Sequence, residues 1–230
     1  MMSYIEPSKP IPIWKAIKRV FIGYDPRQPI AYNVLQHSIV TRASEPIAVT
    51  PLILKQLPIC RRGLTEFTYS RFLIPWLCDF KGSALFLDAD MVVTGDIVEL
   101  FNAANYVSDV QVMKDQPKFE WASAMLFNNA RCNVLQPEFI DDTRNPLLDL
   151  AWAKSIGEFP AEWNHCVGYQ KPTPSKLYHY TQGIPCWAET AGVEDEPWTD
   201  AAMEMVHTVS WSELMGESVH AEKVRRANLG

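Results

Sequence analysis

No stretch of this chain approaches the roughly 18 consecutive apolar residues that a membrane-crossing helix requires, so a spanning segment of that kind is not expected. The first residues also lack the apolar core of a signal peptide, because Glu6, Lys9 and three prolines interrupt them. Cysteine is sparse: Cys60, Cys78, Cys132, Cys166 and Cys186 are scattered, odd in number and never spaced as C-x-x-C. That pattern suits neither a disulfide framework nor a zinc knuckle, and a reducing, cytoplasmic location is expected. There is no basic excess either. A net charge of −6 leaves no electrostatic footprint for nucleic acid or anionic lipid. Glycine is scarcer than proline, 10 against 17, and prolines gather at residues 7–12 and 160–185, which predicts an irregular N-terminal tail and a loop-rich final third.

What remains is ordinary globular composition, with 47% hydrophobic and 21% charged residues in 230, enough for one substantial core. We expect a tail over residues 1–17 and a single domain over 18–230. Arg19 to Tyr24 is a short apolar run stopped by Asp25-Pro26, which predicts a strand ending at a turn. Apolar residues then recur with helical spacing between Arg27 and Ser44, and Pro46 to Leu54 reads as a second strand. This order predicts a βαβ unit and a mostly parallel sheet flanked by helices. Further helices are predicted over 67–80, with Thr65 or Thr68 as cap, over 96–104, 147–154 and 200–209. Strands are predicted over 83–87, 110–113, 124–127 and 176–180.

In open α/β sheets, ligands gather beyond the carboxyl ends of the strands. Three such ends carry polar residues: Tyr24-Asp25, Asp88-Ala89-Asp90 and His179. The pair Asp88 and Asp90 follows a buried apolar strand, and two carboxylates that close repel unless positive charge lies between them. A divalent cation satisfies them, although aspartates after a strand also serve as turn and cap residues. His179 is either an ordinary packed histidine or a third ligand, with flexible Gly183 close behind it. Two carboxylates and one imidazole suit Mn2+ or Mg2+ better than a closed structural zinc.

The segments Phe67 to Pro75 and Ala84 to Ile97 resemble glycosyltransferase family 8, retaining enzymes of the GT-A fold carrying a D-x-D motif. Asp25 after the first strand, Met125 to Asn129, the Pro-x-x-Trp-Asn segment within Phe159 to Asn164, and His179 to Trp187 follow in the family's order. The resemblance covers about residues 18–187 and is to a short member of bacterial or viral type. It implies a Rossmann-like nucleotide-sugar-binding domain and transfer of a hexose from a UDP-sugar to a glycan or lipid-linked acceptor in polysaccharide biosynthesis. It further implies metal ligation by Asp88, Asp90 and His179. Tyr24 and Asp25 would lie by the uracil, Ala89 and Gly183 in the donor site, and Arg71 beside the donor sugar and Asp88. Asp149 falls where a polar residue touches that sugar, and is the candidate nucleophile if the route is covalent. Two positions depart from the family: Trp121 replaces an asparagine, and Pro185-Cys186-Trp187 lacks the lysine that holds the diphosphate, for which Lys114 or a basic residue from elsewhere is the substitute to look for.

Two other readings start from the same residues. Leu85 to Val92 also resembles the first motif of haloacid-dehalogenase-type phosphatases, with Asp88 as nucleophile and Asp141-Asp142 as the later acidic pair. A nucleotide-sugar-binding protein without turnover is the other. Trp152, Trp163, Trp187, Trp198 and Trp211 are more readily core residues than sugar platforms, with Trp163 and Trp187 lying beside site-like motifs.

Overall fold

The structure is a computed structural model that describes residues 17–115, 118–186 and 189–206. The chain opens with strand β1 (Lys18–Gly23), helix α1 (Pro29–Arg42) and strand β2 (Ile47–Leu52), and β1 pairs in parallel with both β2 and β3 (Ser83–Leu87). Strands β5 (Val110–Val112), β6 (Ala124–Asn128) and β7 (Ile156–Glu158) complete a six-stranded sheet in the order β2-β1-β3-β6-β5-β7. Only β6 runs against its neighbours. The expected mixed α/β architecture with a mostly parallel sheet is therefore present. A second sheet of three strands lies beside it, ordered β4 (Met91–Val93), β9 (Leu177–His179) and β8 (Trp163–Cys166).

The core follows from the patterning. Ala84, Leu85, Phe86 and Leu87 of β3 have no exposed surface, as a strand covered on both faces requires. Helix α1 begins at Pro29, whose fixed φ suits the first helical turn, and it buries Ala31, Val34, Leu35, Ser38 and Ile39 along one face. Ser38 is a polar member of that stripe with a structural task. Its hydroxyl donates to the Leu35 carbonyl at 2.8 Å and accepts from Val93 N at 3.1 Å, tying α1 to β4. The β4 strand is thereby held from behind as well as through β9.

Two predicted helices are not formed as read. Over 67–80 there is a single 3-10 turn (Ser70–Leu73) followed by a four-residue helix α2 (Ile74–Leu77), closed by positive φ at Asp79 and Phe80. Pro75 offers no N–H and its ring crowds the preceding turn, so a long helix cannot run through it. Thr65 and Thr68 cap neither segment and instead bond to each other. Residues 147–154 form consecutive turns rather than a helix, with Leu150 at φ 60° so that its side chain reaches the core. Helix α3 (Ile97–Asn102) has the expected place, capped by Asp96, whose Oδ1 accepts from Val98 N at 3.0 Å. The short helix α4 (Pro137–Asp141) follows β6. Helix α5 (Glu196–Met205) starts four residues before the predicted terminal helix, whose end, with the expected tail up to residue 16, Trp187 and Trp211, lies outside the described residues. Among the described residues no helix is long and apolar enough to cross a membrane.

Candidate functional site

The D-x-D segment joins the two sheets. Asp88 follows β3, and its amide donates to the Ser123 carbonyl at 2.9 Å, extending the pairing of the large sheet by one step. Asp90 precedes β4, and its carbonyl accepts from Tyr180 N at 2.9 Å, extending the small sheet in the same way. Ala89 spans the gap and is buried. The two carboxylates meet because residues 89–90 turn between sheets, not through the alternation of an extended strand.

His179 ends β9 directly opposite Met91, which brings its ring to the same place. Ligand atoms of Asp88, Asp90 and His179 all lie within 4.8 Å of one another. His179 Nε2 is 3.3 Å from Asp90 Oδ1, and Arg71 Nη2 is 2.9 Å from Asp88 Oδ1. Yet both Oδ1 atoms are buried and neither makes a hydrogen bond, since these approaches are close in distance without donor alignment. Two buried carboxylate oxygens without donors, facing an imidazole, form a donor set that fits a divalent cation bound through oxygen and nitrogen. Burial pushes the Asp88 carboxyl up, to about 7, with Arg71 opposing the rise and Asp90 adding to it. For His179, burial disfavours the charged ring, but the facing Asp90 carboxylate outweighs it and holds the imidazole well above its usual value. Positive charge is favoured at this spot.

Arg71 is placed with little freedom. It is buried, its Nη1 donates to the Ala122 carbonyl at 2.6 Å and its Nε to the Phe67 carbonyl at 3.2 Å, while the guanidinium lies 4.7 Å from the centre of the Phe86 ring. The abandoned helix over 67–80 explains this placement, because the tight 3-10 turn carries Arg71 inward. Beside the cluster a cavity of about 320 Å3 is lined by Asp25, Gln28, Thr65, Phe67, Ala89 and Asp90. Asp25 is therefore brought to Asp90, as the strand order predicts. Both its carboxylate oxygens are taken by Arg27, at 2.9 Å from Nε and 2.5 Å from Nη2, and that side chain holds Asp25 below the usual carboxylate range against the pull of burial. Tyr24 is half-buried, edge-on to Tyr32 at 5.6 Å, and does not line the cavity.

Other expected residues stand elsewhere. Gly183, at φ 123°, borders a separate small cavity with Tyr180 and Val193. Asp149 is exposed, its Oδ1 accepting from Ala151 N at 3.0 Å, and it neither lines the larger cavity nor pairs with Asp88, Asp90 or His179. Lys114 donates to the Ile156 carbonyl at 2.8 Å, so its ammonium is committed to β7, whereas Arg27 is a cation that does line the cavity. Asp141 accepts from Cys60 N and Arg61 N, and Asp142 pairs with Arg144, so the acidic pair required by a phosphatase is engaged in local structure. Trp163 and Trp198 are buried, and Trp152 packs between Phe72 and Phe127, which makes all three core residues.

Glu120 is a site residue that sequence reasoning missed. It is buried with Oε2 3.6 Å from His179 Nδ1, and Thr181 donates to its Oε1 at 2.7 Å. Cys166 Sγ lies 3.8 Å from the same ring nitrogen. The sequence offered one clue to Glu120: it immediately precedes Trp121, where the chain departs from the pattern it otherwise resembles.

No protein-family model matches the chain. The Arabidopsis thaliana protein CDI is 33% identical over 205 residues, covering 73% of this chain and 78% of that protein. Among solved structures, the Streptococcus pneumoniae TIGR4 glycosyltransferase GlyE is similar with a TM-score of 0.61 at 18% identity, over 90% of this chain and 65% of that one. The galactosyltransferase LgtC, solved with donor and acceptor sugar analogs, is similar with a TM-score of 0.58 at 11% identity, over 83% and 97%. The WbbM bifunctional glycosyltransferase has a TM-score of 0.58 at 15% identity, over 96% of this chain, which spans about half of that protein's length at 53%. At such identities the likeness establishes a shared fold, that of the GT-A glycosyltransferases.

Proposed function

The chain belongs to the family of the Arabidopsis protein CDI and has the GT-A glycosyltransferase fold, and from that premise we propose that it transfers a sugar from a nucleotide diphosphate donor in a metal-dependent reaction. The observation that carries the proposal is the convergence of Asp88, Asp90 and His179 at the carboxyl edge of the sheet, with two buried oxygens lacking hydrogen bonds, beside a cavity. Asp88, Asp90 and His179 would hold Mn2+ or Mg2+. When bound, such an ion supplies positive charge to the diphosphate as it departs.

The chain's own residues have distinct tasks in this reading. Arg71 holds Asp88 in place and presents a guanidinium toward the donor. Thr65, Phe67, Gln28 and the Asp25–Arg27 pair line the space for the nucleotide sugar, with Arg27, paired to Asp25, the cation on that lining where the family lysine is missing. We read the donor as a UDP-hexose and the reaction as retaining, in the manner of family 8, with a glycan or lipid-linked glycan as acceptor. The exposed position of Asp149 supports a front-face route over a covalent one. In that route the acceptor oxygen bonds to the anomeric carbon as the bond to UDP breaks, and the acceptor proton leaves on the diphosphate oxygen. Five scattered cysteines, never spaced as C-x-x-C, support a reducing, cytoplasmic setting.

The test is incubation with Mn2+ and a panel of UDP-hexoses while UDP release is followed. Release that Asp88→Asn abolishes supports the proposal. Binding without release on any donor would support a non-catalytic sugar-nucleotide-binding protein, and a covalent glycosyl-enzyme detected by mass spectrometry would overturn the front-face route.

A further inference from the structure

The backbone fixes where His179 stands, and its neighbours decide how the ring is turned. Strand β9 sets it opposite Met91 of β4 on one side and beside Cys166 of β8 on the other. Those ladders settle the main chain, yet an imidazole can still rotate about its side-chain torsions. Its two nitrogens meet different surroundings. Nε2 lies 3.3 Å from Asp90 Oδ1, and Asp90 borders the cavity beside the cluster. Nδ1 faces two buried groups, with Glu120 Oε2 at 3.6 Å and Cys166 Sγ at 3.8 Å.

Glu120 is an expensive residue to keep in that position. A carboxylate only 5% exposed has lost most of its hydration and needs partners inside the protein. Its Oε1 accepts from the Thr181 hydroxyl at 2.7 Å, and Oε2 is the oxygen turned toward the imidazole. The 3-10 turn that carries it (Lys118–Ser123) is braced as well. The Ser123 hydroxyl donates to the Glu120 carbonyl at 2.6 Å, and Asn164 Nδ2 donates to that hydroxyl at 3.0 Å. Asn164 is fully buried at φ 111°, where β8 shifts register against β9, a strained backbone for a residue with a side chain. The Ser123 carbonyl also accepts from the Asp88 amide at 2.9 Å. One turn therefore carries both the carboxylate that meets His179 and the anchor of Asp88.

We propose that Glu120 is a positioning residue for His179, holding the ring proton on Nδ1 so that Nε2 is the metal-ligating atom. The inference rests on the metal-dependent transferase reading and adds a residue to it. A neutral imidazole that ligates through one nitrogen carries its proton on the other, and an acceptor beside that proton fixes both tautomer and ring plane. Closing the 3.6 Å approach into a hydrogen bond takes a shift of about 0.5 Å. The reverse arrangement, with an ion on the Nδ1 side, also has three ligand atoms within 4.8 Å of one another, from Glu120, Cys166 and His179. Two observations favour the Nε2 side. Asp88 and Asp90 each have an Oδ1 without a hydrogen bond there, whereas Glu120 Oε1 is engaged by Thr181. Glu120 and Cys166 are also buried and do not line the cavity that Asp90 borders, so a donor in that cavity reaches the Nε2 side.

Mn2+ titration in the presence of UDP, with free Mn2+ followed by electron paramagnetic resonance, tests this on the whole chain. Glu120→Ala is expected to weaken Mn2+ binding by about 10- to 100-fold. Glu120→Gln should recover most of that loss, because its amide oxygen accepts from Nδ1 while its NH2 donates to the Thr181 hydroxyl. Nitrogen NMR of the histidine rings, with Mg2+ and UDP bound, gives a second readout that a packing role would not move. His179 is expected as the Nδ1–H tautomer in the native chain and in Glu120→Gln. A thermal melt reports whether each variant folds. A folded Glu120→Ala protein with native Mn2+ affinity, or a native ring protonated on Nε2, overturns the proposal. So does a thiolate-to-cobalt charge-transfer band on Co2+ loading that Cys166→Ser removes, since it puts the ion on the Nδ1 side. No Mn2+ binding by the native chain contradicts the metal-dependent reading, and this inference falls with it. Native binding that is indifferent to Glu120 overturns the inference alone.

Discussion

Arg71 and Asp88 form a buried ion pair, Nη2 to Oδ1 at 2.9 Å, in which the arginine is clamped by two carbonyls and the aspartate oxygen makes no hydrogen bond. The arginine therefore neutralises and orients the aspartate while leaving that oxygen's acceptor capacity unused.

Removing the arginine leaves Asp88 buried without its guanidinium partner. Arg71→Met is expected to lose about 3–5 kcal/mol of stability, the usual result when one member of a buried pair is deleted. Arg71→Lys keeps the charge but not the three-pronged fork, and should lose less. Urea denaturation of both variants checks the order.

Gly23 ends β1 with no room for a side chain, because a Cβ there would lie 2.4 Å from the Phe67 ring. Phe67 lines the cavity beside Asp90. Gly23→Ala is expected to displace that ring, at a cost of about 1–3 kcal/mol, and to weaken nucleotide binding. Thermal denaturation and UDP titration of the variant measure the two effects.

Acid sensitivity should be traceable to Asp109. Burial raises its pKa, but Arg131 Nε at 2.8 Å, Lys154 N at 2.7 Å and the Ser155 amide and hydroxyl outweigh burial and hold it below its usual value. A carboxyl depressed in the folded state binds its proton more readily when unfolded, so its stabilisation is full above the unfolded pKa, about 3.9, and is lost as pH falls through the folded value. Asp109→Asn is expected to lower stability at pH 7 and to flatten the decline of stability as pH falls below about 4, as followed by urea denaturation at stepped pH.

The thiols should fall into two classes. Cys60 and Cys186 are exposed, while Cys78, Cys132 and Cys166 are buried, and burial pushes Cys132 up to about 12. An aromatic disulfide reagent at pH 8 is expected to titrate two thiols rapidly and the remaining three only after denaturation.

The first half of the molecule was the more legible. Val20, Phe21 and Ile22, the helical stripe of α1 and the buried run Ala84 to Leu87 each carry a period or a burial pattern that local sequence records, so the sheet and its carboxyl edge could be read directly. Pro75 was the misleading element, because an apolar stripe around it has helical spacing while its ring forbids the helix. The three-residue strands β4 and β7 are too short to show a period, and β4 and β9 acquire their meaning only when paired. The convergence of Asp88, Asp90 and His179 was expected from resemblance, whereas Glu120 was invisible because it lies on a 3-10 turn and reaches the histidine only through long-range folding. Gly183 and Asp149 show the converse: position in a motif did not bring them to the cluster.

The most direct test of the central claim is titration calorimetry of UDP with and without Mn2+, on the native chain and on Asp90→Ala. The account predicts binding by the native chain that requires Mn2+ and is lost in a folded Asp90→Ala protein. Native binding that is indifferent to the metal, undiminished binding by the variant, or no binding by the native chain would contradict it.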